Sequence, residues 1–248
     1  MDFQKIKPES TGDALYKIVA KALLSAIQMG KLKHGDSLAS ETDLAKAFGV
    51  SVGTLRKAVD ELVAQQILVR HQGRGTYVAT HNRDRFMDQF FQVEAQSGLK
   101  EFPQVETIDF EEGQASALEA SLLNLSLGDP VFRIRNHLSL QDRKVESDQV
   151  CLPATLFPGL TDRRVRDRSS TLYHLYQTQF GITVVRAEER LRAILCTVDM
   201  ARALSRPVGT PMIELQRVAR GINGQAVEYR VSVIDTTQHA YVSQLVPS

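Results

Sequence analysis

Apolar positions in the first third of the chain recur with helical spacing. Between residues 14 and 28 this spacing predicts an amphipathic helix that Gly30 ends. A second helix is predicted to start at Ser40, with Asp43 completing the cap, and to end at Gly49. A third helix is predicted after Ser51, and its inner face consists of Leu55, Ala58, Val59, Leu62 and Val63. Two short helices joined by a glycine-containing turn predict a helix-turn-helix.

A β-hairpin is predicted directly after these helices. The β-prone stretches 67–71 and 76–78 are separated by Gln72-Gly73-Arg74-Gly75, which reads as a tight hairpin tip. Arg74 would then reach phosphates or the minor groove, where arginine is favoured. The outward face of the third helix would enter the major groove with Val52, Gly53, Thr54, Arg56 and Lys57. Each piece alone is an ordinary capped helix or solvated turn, but their order favours DNA binding.

The rest of the chain predicts mixed α and β structure. Strands are predicted at 105–110, 131–140, 144–152, 182–195, 212–220 and 225–235, and helices at 114–124, 171–180 and 197–204. Asn223-Gly224 fits a type I′ turn, and residues 241–245 an added edge strand. We therefore predict an α+β protein: a winged helix-turn-helix domain at 1–80, a linker with room for a short helix at 81–98, and an antiparallel-sheet ligand-binding domain at 99–248.

Composition and charge narrow the functional classes. The 248 residues are 43% hydrophobic and 24% charged, with no apolar run near the roughly 18 residues that a membrane helix needs and no signal sequence, so we expect a cytoplasmic protein. Residues 1–85 carry a net charge of +4 and the remainder −3, so the first part is better suited to bind the phosphates of DNA. Cys151 and Cys196 are expected to be inert core thiols, and the six histidines lack metal-ligand spacing. We predict no metal and no cofactor.

Four motifs in the first domain carry a resemblance to a known family. They are Leu38-Ala39-Ser40-Glu41, Phe48-Gly49-Val50-Ser51, Thr54-Leu55-Arg56-Lys57-Ala58 and Gln72-Gly73-Arg74-Gly75-Thr76-Tyr77-Val78. In order and spacing they resemble the DNA-binding domain of the GntR family of bacterial regulators. The motifs and the outward helix face together give these candidate DNA-binding residues: Ser40, Thr42, Ser51, Val52, Thr54, Arg56, Lys57, Gln72, Gly73 and Arg74.

Three positions depart from the family pattern. Proline is usual where Ala39 stands, and arginines that contact DNA are common at the positions of Thr42 and Val52. Losing one bidentate arginine contact removes about 1 to 3 kcal/mol of base discrimination. Recognition is therefore expected to depend on the retained Arg56 and Arg74.

The second domain resembles the UTRA effector-binding domain of the HutC branch of the same family, whose fold is like that of chorismate lyase. The residues that carry this resemblance are Arg133-Ile134-Arg135 after Gly128-Asp129-Pro130, Leu152-Pro153, Gly209-Thr210-Pro211 and the hairpin from Gly224 to Tyr229. It implies an effector pocket lined by the positions of Arg133, Arg135, Asp148 and Glu228 and by the helix start Ser169-Ser170-Thr171, which can bind phosphate or carboxylate. Asp148 stands where glutamate is usual.

Strand alternation adds further candidates for the pocket. Arg133, Arg135 and His137 share one strand face, Glu146 and Asp148 another, and Glu228, Arg230 and Ser232 a third. Glu189 shares its face with apolar neighbours, so it would point inward unless the strand bulges. These side chains predict a pocket for a small polar or anionic metabolite. The alternative is that they form a solvated sheet face or cross-strand ion pairs.

These patterns are compatible with three functions. The favoured one is a homodimeric repressor that grips double-stranded operator DNA and releases it when a metabolite binds. An enzyme is a weaker alternative, because the sequence shows no nucleophile with its base, no metal set and no phosphate loop. A DNA-binding protein without a ligand is weakened by the polar groups aimed at one site of the second domain.

Overall fold

The computed structural model describes residues 14–243, which form two compact units that divide in the sequence between Thr80 and His81. The first unit consists of α1 (Leu15–Gln28), α2 (Glu41–Phe48), α3 (Val52–Ala64), β1 (Leu68–His71) and β2 (Gly75–Val78). Strands β1 and β2 pair antiparallel, and Ser37 adds a bridge to Tyr77. The predicted helix-turn-helix with a wing is confirmed.

Local capping fixes the turn between α2 and α3. The Oγ atoms of Ser40 and Ser51 accept the backbone N–H groups of Asp43 and Thr54, each at 3.1 Å. Gly49 ends α2 with φ at 71°, a left-handed conformation in which a residue with a Cβ is strained. These three signals leave only Gly49, Val50 and Ser51 between the helices, as a helix-turn-helix requires.

The second unit is an antiparallel sheet with helices around it. Its elements are α4 (Arg83–Gln89), β3 (Val93–Ala95), β4 (Gln104–Gln114), α5 (Ala117–Leu123), β5 (Pro130–Leu140), β6 (Arg143–Pro153), a 3-10 turn (Ala154–Leu156), α6 (Asp162–Arg166), α7 (Leu172–Phe180), β7 (Val184–Leu195), α8 (Val198–Leu204), β8 (Pro211–Gly221), β9 (Ala226–Asp235) and β10 (His239–Tyr241). Six strands pair in the order β4-β5-β6-β9-β8-β7. The predicted α+β class with an antiparallel sheet is confirmed.

The segment 81–98 does not behave as the linker that the sequence predicted. It contains α4 and β3, and Phe86, Phe90 and Phe91 lie in the main hydrophobic core of the second unit. His81 is also buried there, and its backbone N–H donates to Gln177 Oε1 at 2.8 Å. The aromatic side chains are the physical reason, because burying three rings anchors a segment that is otherwise polar.

Two details of the strand connections also differ from the prediction. Asn223 has no positive φ, so the β8–β9 connection is not the expected type I′ turn; the left-handed residue there is Gly224. The β5–β6 connection has that geometry instead, since Gln141 and Asp142 both have positive φ, at 49° and 59°.

The last described strand lies outside the large sheet. Strand β10 pairs with β3 in a separate two-stranded sheet, so the expected edge strand at 241–245 is displaced to 239–241. Residues 244 and 245 of that prediction lie outside the described residues. In the described part of the chain, no helix is long and apolar enough to cross a membrane.

Candidate functional site

The N-terminal face of α3 is exposed, as the sequence predicted. Val52, Gly53, Arg56 and Lys57 are all exposed, and 60% of the Arg56 side chain is accessible. Thr54 is half-buried, and its hydroxyl lies 2.9 Å from Ser51 Oγ, within the cap of the helix. This face presents cationic and small side chains on a short helix, the pattern that enters a major groove.

Two further candidate residues are held in place by neighbours in the first unit. Lys57 Nζ lies 4.4 Å from the centroid of the Tyr16 ring, a cation–π contact that leans it toward α1. Arg74 is exposed at the hairpin tip, where its carbonyl accepts the Tyr77 hydroxyl at 3.0 Å. Gln72, Gly73 and Thr42 are exposed as well, and Ser40 caps α2.

A cavity of about 610 Å³ opens in the second unit. Its walls come from the start of β4, from β5, β6 and β9, from α4, and from the segment that leads from the end of α6 into α7. A volume in the range of about 300–1,000 Å³ is typical of small-molecule sites. Of the predicted ligand residues, the cavity brings together Asp148, Ser169, Ser170, Thr171 and Arg230.

A continuous chain of hydrogen bonds runs along one wall of the cavity. Arg168 Nη1 donates to Thr107 Oγ1 at 2.9 Å, and the Thr107 hydroxyl donates to Asn136 Oδ1 at 2.9 Å. Asn136 Nδ2 then donates to Asp148 Oδ1 at 2.9 Å, and Arg230 Nη1 donates to Asp148 Oδ2 at 2.9 Å. Because each buried polar group is hydrogen-bonded, this wall is a fixed polar surface.

The chain of hydrogen bonds ends on a fully buried carboxylate. Glu228 accepts Arg230 Nε at 2.9 Å and the hydroxyls of Tyr173 and Tyr176 at 3.0 and 2.7 Å. Burial and then Glu228 raise the pKa of Tyr176, so this phenol stays a donor at neutral pH. Burial opposes the charge of Arg230, but Glu228 and Asp148 outweigh it and raise its pKa.

Arg168 differs from Arg230 because no carboxylate pairs with it among residues 14–243. Its Nη1 donates to Thr107 Oγ1 and to the Val165 carbonyl, which is 2.5 Å away. Burial lowers its pKa, with Asp148 opposing that effect from a distance. An arginine keeps its charge in proteins, so the cavity wall presents a cation that no described carboxylate contacts directly.

The start of α7 also lines the cavity. Thr171 caps this nine-residue helix by accepting the His174 backbone N–H at 3.1 Å. Ser170 lies beside it, and its hydroxyl is buried without a hydrogen-bond partner in the described part of the chain. A helix start with an unused hydroxyl and the Arg168 cation nearby suits an anionic group.

Three predicted pocket residues of β5 lie on the face of the strand that points away from the cavity. The cavity is lined by Asn136 and Leu138, and residues alternate between faces, so Arg133, Arg135 and His137 point away from it. These three predicted side chains therefore do not line the cavity. Arg135 is exposed, and the buried His137 has a pKa lowered by burial.

Arg133 serves the fold of the second unit instead. Its Nε and Nη2 donate to the two carboxylate oxygens of Glu119, both at 2.8 Å, and its Nη1 donates to Glu111 at 3.0 Å. These bonds tie β5 to α5 and β4. The hydrogen bond from Arg133 lowers the pKa of Glu119 to about 2.

The remaining two predicted carboxylates are also outside the cavity lining. Glu228 lies beneath Arg230 and supports it, as described above. Glu189 does not point into a pocket: Arg217 Nε donates to it at 2.6 Å, and the Tyr241 hydroxyl donates to its second oxygen. Arg217 is buried and also donates to the Phe90 carbonyl at 2.6 Å, so this ion pair fixes α4 against the sheet.

Sequence reasoning missed several residues that line the cavity. The missed polar residues are Arg83, Gln104, Glu106, Thr107, Asn136, Arg166 and Arg168. Arg166 ends, and Arg168 follows, a short helix that no periodicity predicted, and Thr107 lies where β4 changes register. The signal available was the proximity of Arg166 and Arg168 to Ser169-Ser170-Thr171 in the sequence.

Comparisons with known proteins agree with both halves of this description. The model of the gntR family of bacterial regulatory proteins matches residues 15–78, and the UTRA domain model matches residues 98–240. The mannosyl-D-glycerate transport/metabolism system repressor MngR of Escherichia coli is 30% identical over 92% of this chain and 94% of its own length. The NagR repressor of Bacillus subtilis is 24% identical over 92% of this chain and 93% of its own length.

Solved structures show the same fold. The ligand-binding domain of a GntR-family regulator from Bordetella bronchiseptica is 26% identical, with a TM-score of 0.60 over 64% of this chain and 98% of that one. PhnF from Mycobacterium smegmatis is 23% identical, with a TM-score of 0.55 over 92% of this chain and the whole of that one.

A winged helix-turn-helix followed by an antiparallel effector domain defines a one-component, DNA-binding transcription regulator. The chain belongs to the GntR family and carries its UTRA effector-binding domain, the architecture of the HutC branch. Its relatives are transcription regulators, which supports the sequence-based choice of a regulator over an enzyme.

Proposed function

We propose that this protein is a homodimeric, metabolite-responsive repressor that acts in the cytoplasm on genes for the uptake or use of a sugar-like metabolite. Relatives named as repressors of mannosyl-D-glycerate metabolism and of fructoselysine utilisation support this reading. The observation that carries the proposal is the cavity of the second unit, which combines Arg168, a cation with no paired carboxylate among the described residues, with a fixed polar wall. Ligand binding there would favour the conformation with weaker DNA affinity.

The cavity chemistry defines the class of effector. Arg168, Ser170 and the start of α7 would hold a carboxylate or phosphate, because a cation and a helix N-terminus both stabilise an anion. Asn136, Asp148 and Arg230 offer donors and acceptors beside that site, which suits hydroxyl groups. The effector is therefore a polyhydroxylated anion.

Exposure of the candidate residues in the first unit suggests how each would contact DNA. Arg56, Lys57, Thr54 and Val52 would meet base edges or phosphates in the major groove, while Arg74 would reach the minor groove or a phosphate. The remaining candidates, which contribute cap or tip contacts to the DNA backbone, are Ser40, Thr42, Ser51, Gln72 and Gly73.

A second copy of the chain has a place to pair. Part of the outer edge of β4 is occupied, because Arg166 of α6 donates to the carbonyls of Thr107 and Ile108. Strand β7, which has 12 residues, forms the other edge of the sheet. Its Leu191 and Leu195 are 47% and 66% exposed. An edge that pairs with no other described strand and carries exposed leucines favours association of two copies.

The effector proposal is tested by binding and release of promoter DNA. Full-length protein bound to a fragment of its own promoter is titrated with phosphorylated sugars and with sugar acids. We expect one of these to release the DNA from the wild type and to lose its effect on the Arg168→Ala variant, because the anion loses its cation. Arg135→Ala is the matched control. It also removes one arginine charge, but from the face of β5 that points away from the cavity, so the effector should still release DNA from this variant.

Equal responses of the two variants would contradict the assignment of the cavity as the effector site. Failure of the wild type to bind any promoter fragment at low salt would contradict the proposed function as a whole.

A further inference from the structure

The first unit contains an ion network that joins the three elements expected to face DNA. Glu41 is the first residue of α2, and its Oε2 accepts both Nε and Nη2 of Arg56 on α3, at 3.0 and 2.7 Å. Arg70 on β1 lies 3.8 Å from the other oxygen of Glu41 and 2.5 Å from Asp60. One carboxylate therefore contacts cations from the recognition helix and from the wing.

This network is poorly suited to stabilising the fold. The side chains of Glu41 and Arg56 are 34% and 60% exposed, and exposed ion pairs contribute little because water and salt screen them. The geometry is nevertheless specific, since two donors of one guanidinium converge on one oxygen. An arrangement that costs two side chains their rotamer freedom for little stability calls for another explanation.

Orientation of the guanidinium supplies that explanation. Glu41 occupies the edge of Arg56 formed by Nε and Nη2, and within residues 14–243 Nη1 makes no hydrogen bond. The exposed edge formed by Nη1 and Nη2 has the spacing of the two acceptors that a guanine shows in the major groove. A side chain fixed before binding loses less entropy when it docks, which favours the correct sequence.

We propose that Glu41 is a positioning residue that holds Arg56 in the orientation needed to read a base. The inference rests on the proposed function, because it takes α3 to be the recognition helix. It also predicts that removal of Glu41 has opposite effects on nonspecific and on sequence-specific DNA binding. The Glu41 carboxylate repels phosphates, so its removal helps nonspecific binding, whereas the loss of orientation harms binding to the correct sequence.

The test compares promoter DNA with a scrambled duplex of the same length and composition. Dissociation constants of the full chain for both are measured across a salt series, and their ratio gives the selectivity. For Glu41→Gln we expect the selectivity to fall about tenfold or more, while affinity for the scrambled duplex stays equal or rises. Asp60→Asn is the matched control, because it removes the same charge from the same network and leaves both hydrogen bonds of Arg56 to Glu41 in place, and its selectivity stays within about twofold of the wild type.

A second variant guards against a simple folding defect. Glu41→Asp keeps the charge and shortens the side chain by one methylene, which withdraws it from Arg56. We expect it to lose selectivity without gaining affinity for the scrambled duplex. Equal selectivity in Glu41→Gln and Asp60→Asn would overturn the inference, and so would full selectivity in Glu41→Asp.

Combination with Arg56→Ala separates this inference from the proposed function. In the Arg56→Ala background, Glu41→Gln should lower selectivity no further, because the group that it positions is gone. Additive losses would show that Glu41 acts on the fold and not through Arg56. If Arg56→Ala alone leaves selectivity intact, the proposed recognition face is wrong; if it abolishes selectivity and Glu41→Gln does not, only the positioning role fails.

Discussion

Arginines of the second unit fall into two groups according to their partners. Arg133 pairs with Glu111 and Glu119, Arg217 pairs with Glu189, and each arginine joins one element of the fold to another. Arg230 binds two carboxylates and still lines the cavity, while Arg168 has no carboxylate partner in the described ranges. Residue type alone does not separate these roles. What distinguishes Arg168 from the other three is that no described carboxylate pairs with it, because a paired arginine has little charge left for a ligand.

The pair of Arg133 and Glu119 makes stability depend on pH at the acid end. The pKa of Glu119 is lowered to about 2 in the folded protein, so its contribution is present above its ordinary value of 4.5 and is lost as pH falls toward 2. We expect Glu119→Gln to be less stable than the wild type at neutral pH and to lose less stability on acidification. Urea unfolding midpoints of both proteins across this range provide the measurement, and parallel curves would contradict the prediction.

At the scale of elements, helix α4 connects the start of the second unit to its sheet. Phe90 is 5% exposed and meets the Tyr173 ring edge to face at 4.8 Å, while its carbonyl accepts Arg217. A polar segment with three buried rings is therefore part of the core. The same helix supplies Phe86 and Arg83 to the cavity lining.

Truncation of Phe90 tests whether α4 belongs to the folded unit. We expect Phe90→Ala to lower the free energy of unfolding by about 3 to 5 kcal/mol, because it removes a buried ring and leaves a cavity. The control is Leu99→Ala, in which the side chain removed is 55% exposed, and the change there should be small. Chemical denaturation of both variants measures the difference. Equal effects would restore the interpretation of 81–98 as a linker.

Sequence patterns predicted the elements better than the faces they present. The helices and strands follow from local periodicity and caps, such as Ser40 and Ser51 at the helix starts. On β5, period-two alternation correctly grouped Arg133 and Arg135, but it could not tell which face the cavity would occupy. Both faces of β5 carry buried residues, so burial of one face was no guide. Asn136 could be recognised as a cavity residue only from the structure, in which it forms hydrogen bonds with Thr107 and Asp148.

At the scale of the whole molecule, the two units divide the work of a one-component regulator. Residues 1–80 carry a net charge of +3 and the remainder −2, Arg56 and Arg74 are exposed in the first unit, and the second unit carries the cavity. Regulation requires that the effector bind the two DNA-affinity states of the protein with different strength. The proposal therefore joins two measurable properties, selectivity for promoter DNA and its loss in the presence of a polyhydroxylated anion.

The central claim is that α3 and the wing hold the protein on a specific DNA sequence. The direct measurement is fluorescence anisotropy of labelled promoter and scrambled duplexes with the wild type, Arg56→Ala and Arg74→Ala over a range of salt concentrations. We expect the wild type to prefer the promoter, Arg56→Ala to lose that preference, and Arg74→Ala to bind both duplexes more weakly with a salt slope reduced by about 1. A wild type that binds both duplexes equally at every salt concentration would contradict the account.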